Sequence, residues 1–249
     1  VEMGATMVRV PLQSYSHDLD AMFDAVTDAT RLVFCCNPNN PTGTIVDARA
    51  MEAFLARVPD RVVVVLDEAY FEYANGPGYF QSLDHLRAGR KNLVVLRSFS
   101  KVYGLAGLRV GYGVMPESLA EGLNRIRQPF NVNLLAQIGA RAALADHAFV
   151  AKTLKLVHAG LDYLYRELDA LGLTYYPTQS NFFLIDMQRD AGAVFEALLK
   201  QGVIVRSMRG YGFPQSIRVN VGTAEENRRL ITALRAVVAG IDPGPGNTG

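Results

Sequence analysis

The sequence predicts an α/β protein: a three-layer large domain built on a mostly parallel sheet, followed by a smaller α+β domain. In roughly the first 150 residues, short apolar runs of strand length alternate with amphipathic segments of helix length. Beyond that point the helical patterns lengthen, and the strands become fewer and shorter. We therefore expect a large domain over residues 1–150, a small domain over residues 151–240, and a disordered tail over residues 241–249, which is rich in Pro and Gly.

The strands predicted in the large domain are short and apolar. They span residues 6–10, 31–36, 61–66, 92–97 and 109–114. The third contains four valines and a leucine, which is typical of a strand covered on both faces, and we expect the second to be buried as well. Helices over residues 19–26, with Asp18 as N-cap, and over residues 47–57 separate the first three strands. This alternation predicts a parallel arrangement of those strands.

The second half of the chain is predicted to combine longer helices with short strands. Helical periodicity covers residues 131–144, 147–171, 191–201 and 224–240, and strand-like runs cover residues 182–186, 203–206 and 216–221. The change from one pattern to the other falls inside the long helical region, so we place the domain boundary there.

Composition excludes several classes of function. Lys plus Arg is 25 and Asp plus Glu is 24, and the net charge of +1 offers no electrostatic basis for binding nucleic acid or an anionic membrane. The two cysteines, Cys35 and Cys36, are adjacent and cannot join distant segments, so we expect a reducing, cytoplasmic compartment. No apolar run approaches the roughly 20 residues of a membrane span. The histidines show no metal-ligand spacing, and we expect no metal site.

Polar side chains follow three of the predicted strands. Residues 37–44 follow the second strand, residues 67–70 the third, and residues 98–101 the fourth. The carboxyl ends of parallel strands meet at one edge of a sheet, where ligands bind in α/β proteins. Taken singly, these groups have simpler interpretations, such as a solvent-facing charge for Glu68 or Lys101. Together they predict one site that combines carboxylate, phenol, amide, hydroxyl and amine groups.

Four strings carry a resemblance to a known family. They are NPNNPTGT (37–44), VVVVLDEAYFEYA (62–74), RSFSKVYGLAGLRVGYG (97–113) and GVIVRSMRGYGFPQSIRVNVGT (202–223). Their order and spacing resemble those of the fold-type I, aspartate-aminotransferase-like family of pyridoxal-phosphate-dependent aminotransferases. The most specific part is S-x-S-K with an arginine eight residues after the lysine. The last string is similar to the histidinol-phosphate branch of that family.

The resemblance implies a role for four residues around the cofactor ring. Lys101 would form a Schiff base with the aldehyde of pyridoxal 5'-phosphate and later move a proton. Asp67 would pair with the pyridine nitrogen and keep it protonated. Tyr70 and Asn40 would hydrogen-bond the phenolic oxygen of the ring.

The resemblance also implies two sets of anion-binding residues. Ser98, Ser100 and Arg109 would hold the cofactor phosphate, with Arg109 as a bidentate donor. Arg218 would bind the anionic group of the substrate, and Arg206 is a candidate for a second anion clamp.

The implied activity is transamination between histidinol phosphate and 2-oxoglutarate, giving imidazole acetol phosphate and glutamate in histidine biosynthesis by a cytoplasmic homodimer. Three alternatives stay open: an aromatic amino-acid aminotransferase, a threonine-phosphate decarboxylase, and a non-catalytic cofactor-binding fragment. Residues 208–215 either line the substrate site or form a solvated turn, and the turn is the simpler interpretation.

The resemblance departs from the family pattern at the beginning of the chain. Members of the family carry a further N-terminal portion that completes the cofactor pocket, whereas this sequence opens at Val1 and soon reaches the strand predicted at residues 6–10. We therefore expect an N-terminally incomplete pocket, an exposed sheet edge and weak cofactor binding by the isolated chain.

Overall fold

The computed structural model of the chain describes residues 4–76 and 78–240. The tail predicted at residues 241–249 lies outside the described residues. The described residues form two compact units: residues 4–40 and 44–147 belong to the first, and residues 41–43 and 148–240 belong to the second. The assignment of residues 1–150 to cofactor binding and of residues 151–240 to a small domain stays a prediction.

The first unit contains six strands and five α-helices among the described residues. In chain order they are β1 (Leu12–Gln13), β2 (Ser16–His17), α1 (Leu19–Asp24), β3 (Leu32–Cys36), α2 (Ala48–Arg57), β4 (Val63–Asp67), α3 (Ser82–Arg87), β5 (Leu93–Ser98), β6 (Gly111–Val114), α4 (Glu117–Ile126) and α5 (Leu134–Ala145). Two short 3-10 helices, Phe71–Tyr73 and Ala106–Leu108, precede α3 and β6 respectively.

The main sheet of the first unit has the order β3-β4-β5-β6. β4 pairs in parallel with both β3 and β5, and β6 runs antiparallel to β5. The predicted α/β class with a mostly parallel sheet is confirmed. Asp67 at the end of β4 aligns with Cys36 on one side and Leu96 on the other, so the ends of the parallel strands meet at one edge.

The core of the first unit forms where α2 meets the central strands. Met51 and Phe54 of α2 are 0% and 1% exposed, and they belong to the same apolar cluster as Val64 and Leu66 of β4. The carboxylate of Asp47 accepts a hydrogen bond from an N–H group in the first turn of α2 and fixes where that helix begins.

The strand predicted at residues 6–10 is wrong. These residues have no regular structure, and the first strands are instead β1 and β2, which form a small antiparallel hairpin. A strand needs a neighbour to satisfy its backbone N–H and C=O groups, and no described strand pairs with residues 6–10. The helix that follows begins as predicted, because the Asp18 carboxylate accepts the N-cap hydrogen bond.

The second unit begins within a long helix and contains a second sheet. The elements from residue 147 onward are α6 (His147–Ala170), β7 (Thr174–Tyr176), β8 (Phe182–Asp186), α7 (Ala191–Lys200), β9 (Arg206–Ser207), β10 (Ser216–Asn220) and α8 (Ala224–Gly240). The sheet has the order β7-β8-β10-β9, and every pair in it is antiparallel. The strand predicted at residues 203–206 is displaced, because β9 begins at its last residue, where the chain comes opposite β10.

In the part of the chain that the structure describes, no helix is both long and apolar enough to cross a membrane.

Candidate functional site

Lys101 and Tyr70 come together from the ends of two neighbouring strands. The Lys101 Nζ atom lies 5.1 Å from the centroid of the Tyr70 ring, and Tyr70 is 5% exposed. The chain has five lysines, all of which the structure describes; Lys101 is half-buried and the other four are exposed. The environment of Lys101 therefore differs from that of every other lysine in the chain.

Asp67 is the last residue of β4, and the main chain around it is held from both sides. Its carbonyl oxygen accepts a hydrogen bond from the Asn37 N–H group at 3.0 Å, just beyond β3. The next residue, Glu68, donates its N–H group to the Leu96 carbonyl of β5 at 2.8 Å. The Asp67 Oδ1 atom accepts a hydrogen bond from the Ala69 N–H group at 3.1 Å. These bonds fix the carboxylate at the edge where the parallel strands end.

Ser98, Ser100 and Arg109 lie around the turn that leaves β5. The Ser98 Oγ atom accepts a hydrogen bond from the Ser100 N–H group at 3.0 Å. Ser98 is opposite Gly111 of β6, so Arg109 returns to the same end of β5. Arg109 has a left-handed backbone conformation with φ of 55° and donates a hydrogen bond to the Ala106 carbonyl at 2.8 Å. A Cβ atom at Gly111 would lie 2.8 Å from a backbone oxygen of β5, so glycine permits this close approach.

Asn40 lies in the loop of residues 37–44, whose base is well held. The Asn37 Oδ1 atom accepts a hydrogen bond from the Val46 N–H group at 3.0 Å, and the Tyr79 hydroxyl donates to the Asn37 carbonyl at 2.6 Å. Asn40 itself is exposed. The hydrogen bond from the Asn37 N–H group to the Asp67 carbonyl attaches the start of this loop to the end of β4, and Asn40 further along the loop is exposed to solvent.

Sequence patterns did not indicate the ion pair between Arg97 and Glu68, the residue that follows Asp67. The Arg97 Nε and Nη2 atoms both donate to Glu68 Oε2, at 3.0 Å and 2.9 Å, and the Glu68 side chain is 2% exposed. The interpretation of Glu68 as a solvent-facing charge is therefore wrong. Burial raises the pKa of the Glu68 carboxyl, while the charge of Arg97 and its hydrogen bonds to the carboxylate oppose the rise. The available signal was an arginine at the end of an otherwise apolar strand.

Arg206 and Arg218 lie in the second unit, directly opposite each other in the β9–β10 pair. Arg206 is exposed and donates a hydrogen bond to the Tyr211 hydroxyl at 3.2 Å. Arg218 is half-buried, with its Cζ atom 4.7 Å from the centroid of the Phe182 ring. Like charges on directly opposed residues repel each other, so an anion bound beside them would be favourable.

Comparison with known proteins identifies the family. The profile of the family "Aminotransferase class I and II" matches residues 2–234, and the chain therefore belongs to the class I and II aminotransferases. The chain is 52% identical to the histidinol-phosphate aminotransferase of Moorella thermoacetica, over 95% of this chain and 61% of that relative. It is 51% identical to histidinol-phosphate aminotransferase 2 of Pseudomonas aeruginosa, over 95% of this chain and 64% of that relative.

Solved structures agree with this assignment. The histidinol-phosphate aminotransferase of Sinorhizobium meliloti, in complex with pyridoxal-5'-phosphate, aligns with a TM-score of 0.82 at 28% identity, over 95% of this chain and 65% of that one. A double mutant of Thermus thermophilus aspartate aminotransferase aligns with a TM-score of 0.79 at 25% identity, over 89% of this chain and 60% of that one. The fold is therefore aspartate-aminotransferase-like, of fold type I. The chain spans 60–65% of the length of these four relatives.

Proposed function

We propose that the chain carries the reactive lysine of a pyridoxal-phosphate-dependent aminotransferase that acts on histidinol phosphate and 2-oxoglutarate. The observation that carries the proposal is the half-buried Lys101 amine beside the Tyr70 ring, at the strand edge where Asp67 also ends β4. Identities of 51–52% to curated histidinol-phosphate aminotransferases support the choice of substrate.

The donor set at this edge fits pyridoxal 5'-phosphate. The first unit presents an amine, a carboxylate, a phenol, hydroxyl groups and a guanidinium at the adjoining ends of β4, β5 and β6. The amine matches the aldehyde of the cofactor, the carboxylate its ring nitrogen, and the phenol its phenolic oxygen. The hydroxyl groups and the guanidinium match its phosphate. When bound, this cofactor supplies an aldehyde that condenses with amines and a ring that withdraws electrons from the neighbouring carbon.

The ring-facing residues have separate tasks. Lys101 Nζ holds the cofactor covalently in the absence of substrate and moves the proton at the reacting carbon of the amino substrate. The Asp67 carboxylate keeps a proton on the ring nitrogen, because a negative charge nearby favours the protonated form. Tyr70 and Asn40 hydrogen-bond the phenolic oxygen and orient the ring.

The remaining residues bind anions. Ser98 and Ser100 supply hydroxyl groups to the cofactor phosphate, and the planar guanidinium of Arg109 supplies paired N–H donors. Arg218 and Arg206 take the phosphate or carboxylate of the substrates, which offsets the repulsion between these two opposed arginines.

The proposal includes an amino donor, an oxo-acid acceptor and a cytoplasmic homodimer. Exposed apolar residues in and after α4 of the first unit support the homodimer, because a second chain would cover them. No residue of α4 is buried, and Ile126 and Phe130 are 79% and 96% exposed. Neighbouring apolar side chains that stay exposed are typical of interaction surfaces.

Reductive trapping tests the proposal directly. The purified chain is mixed with pyridoxal phosphate, reduced with borohydride and digested, and the modified peptides are mapped by mass. We expect one dominant adduct, on Lys101, which disappears in Lys101→Ala and persists in the matched control Lys91→Ala, because Lys91 is exposed. Adducts spread evenly over the five lysines would overturn the proposal.

The choice of substrate has its own test. The chain is incubated with pyridoxal phosphate and either histidinol phosphate or an aromatic amino acid before borohydride is added, and the yield of the reduced Lys101 adduct is followed. Histidinol phosphate is expected to protect Lys101 at lower concentration, and the reverse order would assign the chain to aromatic substrates.

A further inference from the structure

The side chain of Arg97 connects the two segments that carry Asp67 and Tyr70. Its guanidinium donates two hydrogen bonds to Glu68, the residue after Asp67. Its Cζ atom lies 3.4 Å from the centroid of the Phe71 ring, and Phe71 is the residue after Tyr70. One planar group therefore touches the direct neighbours of both the carboxylate and the phenol proposed to bind the cofactor ring.

The same side chain is tied to the segment that carries the lysine. Arg97 is the penultimate residue of β5, so Ser98 and the turn to Lys101 continue directly from its backbone. Arg97 is opposite Tyr112 in the β5–β6 pair, so its backbone is also paired with the strand that follows the lysine turn. A shift of Arg97 would therefore be transmitted to Lys101 as well as to the end of β4.

The chemistry of this contact requires arginine. A guanidinium is planar, donates in a fixed fork and stacks on an aromatic ring, and a lysine ammonium does not reproduce that combination. The Arg97 and Glu68 side chains are 12% and 2% exposed, so both charges are largely removed from water. Buried ion pairs can often be replaced by apolar pairs without loss of stability, so stability alone does not account for this one.

We propose that Arg97, held by Glu68, is a positioning residue that fixes Asp67, Tyr70 and Lys101 relative to one another. The inference rests on the proposed function, since it concerns the geometry of the same site. Arg97 acts through these three residues, because its own guanidinium is engaged by Glu68 and by the Phe71 ring.

Four variants of the full chain separate positioning from stability. Arg97→Met removes the fork and leaves Glu68 buried without its counter-charge, and Arg97→Lys keeps the charge without the planar fork. The double variant Glu68→Leu/Arg97→Met replaces the ion pair by an apolar pair. Met22→Ala, which truncates a buried residue of α1 outside the site, is the control for general destabilisation.

The first measurement is the initial rate of borohydride trapping at Lys101 with pyridoxal phosphate, beside the melting temperature of each variant. Arg97→Met and Arg97→Lys are expected to slow trapping by about 10- to 100-fold, as small misplacements of reacting groups do. The double variant is expected to melt near the wild-type temperature and still trap slowly. Met22→Ala is expected to melt lower and trap at the wild-type rate.

The second measurement needs no cofactor. Hydrogen–deuterium exchange is expected to rise at the amides of residues 69–73 and 98–104 in the double variant and to stay unchanged there in Met22→Ala. Wild-type trapping at Lys101 in the double variant, or unchanged exchange in these segments, would overturn the inference. A wild-type chain that shows no selective Lys101 adduct contradicts the proposed function instead, and the exchange data then decide the positioning role independently.

Discussion

β3 and β4 are adjacent strands of one sheet with similar apolar sequences, yet they are buried to very different extents. Phe34 of β3 is 64% exposed, whereas Val65 of β4, its partner in register, is 7% exposed. β4 lies between two strands, while β3 is at the edge of the sheet in the described part of the chain. An apolar run therefore predicts a strand without predicting the position of that strand in the sheet.

The difference also explains which strand end is suited to chemistry. The end of β4 is hydrogen-bonded on both sides, through Asn37 beyond β3 and Leu96 in β5. The residues proposed to act on the cofactor ring, Asp67 and Tyr70, follow this doubly held strand. Placement within a fraction of an ångström requires such support, because a reacting group held from one side retains more freedom.

The largest expected effect comes from truncating the same residue type in the two strands. Leu66→Ala in β4 removes a side chain that is 1% exposed, and we expect it to lower the free energy of unfolding by about 2–5 kcal/mol. Leu32→Ala in β3 removes one that is 53% exposed, and we expect a loss below about 1 kcal/mol. Urea unfolding of the two variants measures both values, and equal losses would show that β3 is covered in solution.

A smaller effect is expected from Glu72, a half-buried acid just beyond β4. Burial raises the pKa of Glu72 to about 7 from the ordinary value of 4.5, with Arg97 opposing the rise and Glu68 adding to it. The folded chain then holds a proton that the unfolded chain has released between pH 4.5 and 7. The contribution of Glu72 to the free energy of unfolding should therefore be largest below pH 4.5. It should fall by up to about 3 kcal/mol as the pH rises through 7.

Glu72→Gln isolates this contribution. The variant should lose the fall in unfolding free energy between pH 4.5 and 7, measured by urea unfolding at several pH values. Glu52→Gln, at an exposed position of α2, is the matched control and should keep the wild-type profile. A Glu72→Gln profile that parallels the wild type would mean that Glu72 is solvated when the chain is folded.

Much of the site could be predicted from sequence because its residues follow strands directly. Asp67 and Lys101 are placed by local patterns: an apolar run ends, and polar groups begin. Arg97 could not be predicted in the same way, because its contact with Glu68 depends on the register between β4 and β5. The strand wrongly predicted at residues 6–10 shows the same limit, since pairing decides whether an extended apolar segment becomes a strand.

The smallest expected change in stability comes from placing a charged residue on β3, the strand at the edge of the sheet in the described part of the chain. Phe34→Lys should alter the free energy of unfolding by no more than about 0.5 kcal/mol, because the side chain is 64% exposed. A lysine on an edge strand opposes pairing with another chain, so self-association should decrease. Sedimentation velocity over a concentration series measures this effect.

A matched variant distinguishes the edge from net charge. Ile204→Lys adds the same charge at a residue that is 80% exposed and lies outside the strands. If self-association falls in Phe34→Lys and not in Ile204→Lys, the β3 edge is the associating surface. Equal decreases in the two variants would mean that the added charge controls self-association and that the β3 edge does not. The contrast between β3 and β4 would then describe burial within a single chain only.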